Sequence, residues 1–152
     1  MEKDYKKWHQ KKEVINKVEQ RPFFHEREIW FCYLGVNVGF EQDGSAKDFL
    51  RPILIIRKFN NDIFWGIPLT KSNKKISKRV EKYYYQFSFV PSITSVAILS
   101  QIRLIDARRL SRHIGFISEK KLEKLMKKLK ALLPWVLSFF LRLATESGRS
   151  HL

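Results

Sequence analysis

Along the chain the spacing of apolar residues changes character several times, and each change predicts an element. In the first twenty or so residues Tyr5, Trp8, Ile15 and Val18 recur loosely at helical intervals among polar neighbours. That pattern predicts a weakly amphipathic helix, closed by Arg21-Pro22. From Glu28 to Leu34 the run Ile29-Trp30-Phe31-Cys32-Tyr33-Leu34 is almost continuously apolar or aromatic, the mark of a strand covered on both faces. Gly35 to Asp48 holds Gly35, Gly39 and Gly44 among mixed polar residues and reads as a long loop, which in a compact domain usually serves function. Leu50 to Lys58, with Ile53-Leu54-Ile55-Ile56 at its centre, and Ile63 to Thr70 form a hairpin around the turn residues Asn60-Asn61-Asp62.

Lys71, Lys74, Lys75, Lys78, Arg79 and Lys82 crowd a connection without apolar periodicity, hence a solvated basic loop. Aromatic-rich Tyr83 to Phe89 predicts a strand, Ser95 to Ile105 another after the Pro91 turn, and His113 to Ile117 a short closing strand. Ser118 is a good N-cap and Glu119 suits the positive end of a helix, after which Leu122, Leu125, Met126, Leu129, Leu132 and Leu133 share one stripe with lysines opposite. That helix is expected to pack on the strands by its leucine face. Beyond Pro134, Trp135 to Leu143 reads as a second, kinked helix. The fold class is therefore mainly β with appended helices, a small antiparallel barrel. It divides into a helical extension over 1–24, a barrel domain over 25–133 and a helical tail over 134–152.

Composition narrows the partners. Thirty Lys and Arg against 15 Asp and Glu in 152 residues give a formal charge of +15, which points to a polyanion, either nucleic acid or an anionic membrane surface. The most apolar stretch, Ala131 to Ala144, contains Pro134 and Arg142 and is shorter than the roughly 20 residues a spanning helix needs, so no membrane segment is expected. The single cysteine, Cys32, cannot form an internal disulfide and fits a reducing cytoplasm. His9, His25, His113 and His151 are scattered and show no metal-binding spacing, so neither metal nor cofactor is expected.

Short motifs carry more specific information. Gly39-Phe40-Glu41-Gln42-Asp43-Gly44 is followed by Arg51-Pro52 opening an aliphatic strand, then by Ile67-Pro68-Leu69-Thr70, then by Ser100-Gln101-Ile102-Arg103. Leu110-Ser111-Arg112-His113-Ile114-Gly115 leads into the final helix. In this order, over about Glu28 to Leu133, the chain resembles the MazF/PemK family of toxin–antitoxin ribonucleases. The resemblance implies an SH3-like barrel, a homodimer, metal-independent cleavage of single-stranded RNA, and inhibition by a cognate antitoxin protein. Two departures stand out: Ser45-Ala46-Lys47-Asp48-Phe49-Leu50 enlarges the loop before the arginine–proline pair, and Ser100 stands where many relatives carry an acidic residue.

RNA brings its own nucleophile, the 2′-hydroxyl, so the protein need only align it and neutralise charge on the phosphate. A guanidinium offers forked donors matched to phosphate, which makes Arg51 the candidate phosphate holder. Thr70, ending the paired strand, is the candidate second donor to the developing oxyanion. Glu41 is the nearby carboxylate the motif offers for taking the 2′-hydroxyl proton, or else it orders Gln42. Gln42, Lys47, Lys71, Lys74, Lys75, Gln101 and Arg103 are the candidate RNA-binding residues, with Gln101 and Arg103 expected to alternate onto one strand face. Phe40, Trp65 or Tyr83 are candidates for base stacking, Trp65 being better read as core. The competing reading is a catalytically silent barrel that binds nucleic acid or an antitoxin.

Overall fold

The computed structural model describes residues 3–71 and 76–134. Its elements are α1 (Tyr5–Asn16), β1 (Glu28–Tyr33), β2 (Leu50–Lys58), β3 (Ile63–Lys71), β4 (Tyr84–Val90), β5 (Ile93–Ile98), β6 (Arg103–Asp106), β7 (Leu110–Phe116) and α2 (Glu119–Ala131). The strands form one antiparallel sheet in the order β4-β5-β3-β2-β1-β7, with β6 pairing the other half of β3. Long β3 is thus shared, its Ile63–Gly66 half bonded to β6 and its Leu69–Lys71 half to β5. This sharing bends the sheet into a half-barrel.

The aliphatic run of β2 serves two cores at once. Leu54 and Ile56 pack with Ile29, Ile67, Leu69, Phe87 and the α2 residues Leu125 and Leu129, whereas Ile53 and Ile55 pack with Phe24, Trp30, Cys32, Phe64 and Ile105. Alternate side chains of a strand point to opposite faces, so a strand buried on both sides must be apolar at every position. Helix α2 lies on the first core, with Leu122, Met126 and Leu132 flanking its buried leucines. Ser118 caps it by accepting from the Lys121 N–H at 3.4 Å. Full burial of Leu125 alone contributes about 1.5–3 kcal/mol. Leu133, at the far end of the stripe, is exposed.

Several sequence expectations are corrected. The predicted Ser95–Ile105 strand is two strands joined by a 3-10 turn at Leu99–Gln101, because the chain turns a corner between β5 and β6 at the polar pair Ser100-Gln101. The closing strand begins earlier, at Leu110. The first helix stops at Asn16, before Arg21-Pro22. Trp65 is not core: it is 44% exposed and meets Phe59 edge-on at 5.1 Å. In β4, by contrast, Tyr85, Phe87 and Phe89 line up against the α2 core, so that run is mainly packing. The predicted helix at Trp135 to Leu143 lies outside the described residues. Among the described residues no helix is long and apolar enough to cross a membrane.

Helix α1 is fastened to the sheet through a third small core of Trp8, Ile15 and Phe49. Asp4 caps it, accepting from the Lys7 N–H at 2.9 Å. At its other end the Arg108 guanidinium donates to the Asn16 carbonyl at 2.9 Å while pairing with Asp106 at 2.8 Å. The indole of Trp8 is wedged beneath Gly35, whose left-handed backbone (φ +79°) has no room for a side chain.

Candidate active site

The long loop between β1 and β2 is an ordered object held at several points. Its Gly44 N–H donates to the Gly35 carbonyl at 2.8 Å, and its Asn37 side chain donates to the Gln42 carbonyl at 2.9 Å. The Asp43 carboxylate accepts from the Asn37 N–H and pairs with the Lys3 ammonium at 2.8 Å. That ammonium also donates to the Asn37 carbonyl at 2.7 Å. The bond to Asp43, opposed by some desolvation, raises the Lys3 pKa. Opposite, Gln101 uses both ends of its amide, accepting from the Gln42 N–H at 3.2 Å and donating to the Phe40 carbonyl at 3.1 Å.

The inserted segment is a compact turn. Ser45 Oγ bonds the Asp48 carboxylate, the Phe49 N–H donates to the Ser45 carbonyl at 3.0 Å, and the Ser45 N–H donates to the Leu50 carbonyl at 2.8 Å. The Ser45 bond is the main reason the Asp48 carboxyl sits below its usual range. Phe49 then adopts φ +62°, a conformation that costs a bulky residue of order 1–3 kcal/mol. Its ring is buried against Trp8 at 5.3 Å, and its carbonyl receives the Leu34 and Gly35 N–H groups at 3.0 and 3.2 Å. The next two residues enter β2, so this strained corner sets the direction in which Arg51 departs.

Arg51 and Thr70 line the same cleft, of about 460 Å³. The Arg51 Nε donates to the Asp43 carbonyl and its Nη1 to the Leu69 carbonyl at 3.1 Å. These bonds tie the guanidinium to the loop on one side and to β3 on the other. Among the described residues two of its five N–H donors are so engaged, which leaves three for an external anion. Desolvation lowers the Arg51 pKa and the Asp43 charge partly restores it, and a guanidinium stays ionised throughout. Extending the β2–β3 register, in which Ile53 faces Pro68, two further residues brings Arg51 opposite Thr70. Among the described residues the Thr70 hydroxyl makes a long contact, 3.4 Å, to the Lys71 carbonyl, a geometry weak enough for it to turn to another acceptor. Lys71, Ser45 and Ser95 add polar groups, and Phe31, Pro52, Phe89 and Ile93 form an apolar wall.

The other sequence candidates are distributed differently. Glu41 lines a separate groove beside α1, where its carboxylate accepts from the Val38 N–H at 3.1 Å. Arg103 lines that same groove. Gln101 sits in the 3-10 turn and not on a strand, so the expected alternation with Arg103 does not occur. Gln42 is half-buried in the loop, and Lys47 and Lys71 are exposed. Lys74 and Lys75 lie outside the described residues. Sequence reasoning missed Asp43 as the partner of Arg51, Lys3 as the partner of Asp43, and the serines of the cleft. Asp43 alone carried a signal, since it sits inside the Glu41-Gln42-Asp43-Gly44 motif. Cys32 offers no chemistry, because burial pushes its thiol up to about 12.

Comparison with known proteins follows the geometry. The family model described as PemK-like, MazF-like toxin of type II toxin–antitoxin system matches residues 25–133. Among solved structures, MazF from Deinococcus radiodurans is 18% identical, with a TM-score of 0.57 over 75% of this chain and 97% of that one. An endoribonuclease in complex with its cognate antitoxin from a mycobacterial species is 16% identical, with a TM-score of 0.51 over 74% of this chain and 99% of that one. At these identities the likeness concerns the fold. No curated protein matches the sequence.

Proposed function

The chain belongs to the PemK-like, MazF-like family of type II toxins, and from that premise we propose that it is an endoribonuclease that cleaves single-stranded RNA in the Arg51–Thr70 cleft without a metal. The observation that carries this reading is the anchored guanidinium of Arg51 facing the same cavity as Thr70, with three N–H donors free.

A phosphodiester laid in the cleft places its non-bridging oxygens on the free N–H groups of Arg51, while the Thr70 hydroxyl donates to the oxygen that gains charge. The ribose 2′-oxygen attacks phosphorus as the bond to the 5′-oxygen breaks. The 2′-hydroxyl passes its proton to solvent water and the departing 5′-oxygen takes one from water, since the described lining of the cleft holds no carboxylate or imidazole and Glu41 lies in the separate groove. The products are a 2′,3′-cyclic phosphate and a 5′-hydroxyl. Because donors fixed before the reaction need no reorganisation, each well-placed one is worth about 3–4 kcal/mol in the transition state. Phe31, Pro52 and Ile93 supply a low-dielectric wall that strengthens these contacts. Lys71 and Lys47, with Lys74 and Lys75 of the basic connection, supply charge for the flanking phosphates. Glu41, capping its own turn, keeps Gln42 and Asp43 in place.

Residues 25–133 form the catalytic unit in this reading, 1–24 an appended extension and 134–152 a tail. The protein acts in the cytoplasm as a homodimer and is silenced by a cognate antitoxin. Incubating purified protein with a mixed-sequence RNA in excess EDTA is expected to give fragments ending in cyclic phosphate. Intact RNA with a folded sample would overturn the enzyme. Salt-sensitive binding without turnover would identify the silent barrel instead.

A further inference from the structure

The groove beside α1 is a second cationic site, and it is built partly from residues that precede the family-matching region. Its volume is about 570 Å³, and Lys6, His9 and Lys12 of α1 face Arg103 and Arg109 across it. The three helix residues are spaced three apart, which keeps them on one flank of α1, next to the buried stripe of Trp8 and Ile15. Arg109 is half-buried, donating to the Tyr33 carbonyl at 3.2 Å and lying over the Trp8 ring at 5.6 Å.

The charge of this groove is only partly compensated. Lys6, Lys12, Arg103 and Arg109 bring four positive charges against the one carboxylate, Glu41, that lines it. Among the described residues no ion pair joins any of these four to a carboxylate. Asp106, nearby, is already held by Arg108 and Arg21. Burial lowers the Arg109 pKa and repulsion from Arg103 adds to the effect, while Cys32 and Asp106 partly offset it. Like charges held together in partial burial favour an anion from outside the chain.

The identity of that anion follows from the loop between the two sites. Asp43, whose carbonyl holds Arg51, and Glu41, which lines the groove, are two residues apart, so their Cα atoms lie within about 8 Å. Next to Glu41, at the groove end of this loop, stands Phe40, whose side chain is fully exposed. Its backbone is pinned by Gln101 and its neighbour Gly39 by Lys3. A single RNA strand has what this arrangement asks for, a regularly spaced negative backbone and flat bases that stack on an exposed ring. An acidic peptide matches the charge but leaves the ring without a partner.

We propose that α1 together with Arg103 and Arg109 forms a second phosphate-binding groove, which takes the RNA strand as it leaves the Arg51 cleft across Phe40. The proposal rests on the reading of that cleft as an RNA site. It predicts a footprint longer than the cleft alone.

The test uses full-length protein and fluorescent oligonucleotides carrying 2′-O-methyl groups, which bind without being cut, about 4 and about 12 nucleotides long. Wild type is expected to prefer the longer strand. In the double variant Lys6→Gln/Lys12→Gln, with circular dichroism confirming an intact fold, that preference is expected to fall about tenfold. The log–log salt dependence for the long strand should flatten by about 1.4, the product of two charges and about 0.7 per charge. Phe40→Ala should reduce the length preference while leaving the salt slope unchanged. An unchanged preference and salt slope in the double variant would overturn the groove, even if wild type cuts RNA. Groove-dependent binding of the long strand by a protein that cuts nothing would leave the groove standing and remove the enzyme. If polyglutamate binding is lost in the double variant while RNA binding is kept, the groove is a protein-docking surface and the proposal fails.

Discussion

Replacing Gly35 by alanine would probe how firmly the appended helix is tied to the loop that carries the site. The added Cβ would lie 1.9 Å from Trp8 Cε2 and 2.3 Å from Cζ2, so the indole must move. It has nowhere to go within its core, being 5% exposed and packed at a tilt against Phe49. A left-handed backbone costs an alanine about 1–2 kcal/mol, and overpacking a filled core adds about 1–3 kcal/mol. The loss is limited by the free energy that docks α1, since the chain can release the helix and keep its sheet. Burial of Trp8 and Ile15 contributes about 1.5–3 kcal/mol each, against which the helix must be ordered. The expected cost is therefore about 2–4 kcal/mol, expressed at α1. Hydrogen exchange of the amides from Trp8 to Asn16 should accelerate about 30- to 1,000-fold, at roughly 1.4 kcal/mol per tenfold, with the β2 and β3 amides far less affected. Gly39→Ala is the matched control: it has φ +54° but open space around its Cβ, so it carries the backbone cost without the steric one. Protection of α1 within threefold of wild type in Gly35→Ala, or an equal loss in both variants, would refute the wedge.

Arg51→Lys keeps the charge but cannot reach two carbonyls and a phosphate at once, so kcat is expected to fall about 10²–10³-fold with little change in net charge. Activity within threefold of wild type would show that the fork is not needed. The Asp106 carboxyl is drawn down to about 2, chiefly by its bond to Arg108 and against some desolvation. A depressed carboxylate stabilises the fold above its unfolded value, near 3.8, and the contribution is lost as pH falls towards 2. With the Asp106 side chain 31% exposed, solvent screening holds that contribution to about 1 kcal/mol. Urea titrations from pH 5 to pH 2 should therefore show wild type losing about 1 kcal/mol more than Asp106→Asn, and parallel acid limbs would count against the pair.

What could be read from the sequence depended on whether a residue's partner is close in the chain or announced by a pattern. The β2 strand was legible because Ile53-Leu54-Ile55-Ile56 feeds two cores, and continuous burial leaves continuous apolarity. The corner at Leu99–Gln101 was not, since Leu99 stays fully buried while the chain turns and two polar residues, Ser100 and Gln101, are too short an interruption to separate from strand alternation. Trp65 was misplaced because its partner Phe59 lies across the hairpin, where two exposed aromatics shelter each other outside the core. Arg51 and Thr70 were readable as a pair through the order of their motifs. Gln101 is expected from the sequence on a strand face beside Arg103, yet its amide meets the backbone of Phe40 and Gln42, 61 and 59 residues away. A side chain that bonds remote main chain leaves no periodic trace.

The same reason hid the part played by the N-terminal segment, which lies outside the family-matching residues but not outside the site. Lys3 bonds Asp43, and the Asp43 carbonyl receives Arg51 Nε, so two contacts lead from Lys3 to the guanidinium. A second route runs through packing, from Trp8 to Phe49 and from Phe49 by its strained backbone into β2. Either route alone would leave Arg51 a degree of freedom: the first fixes where its guanidinium points, the second where its Cα stands. On the proposed reading of the cleft, a fork that meets a phosphate needs both, because misplacement by about 1 Å can cost 10²-fold in rate. The extension is thus part of the apparatus that aims Arg51, and the half-barrel supplies the cleft into which it is aimed.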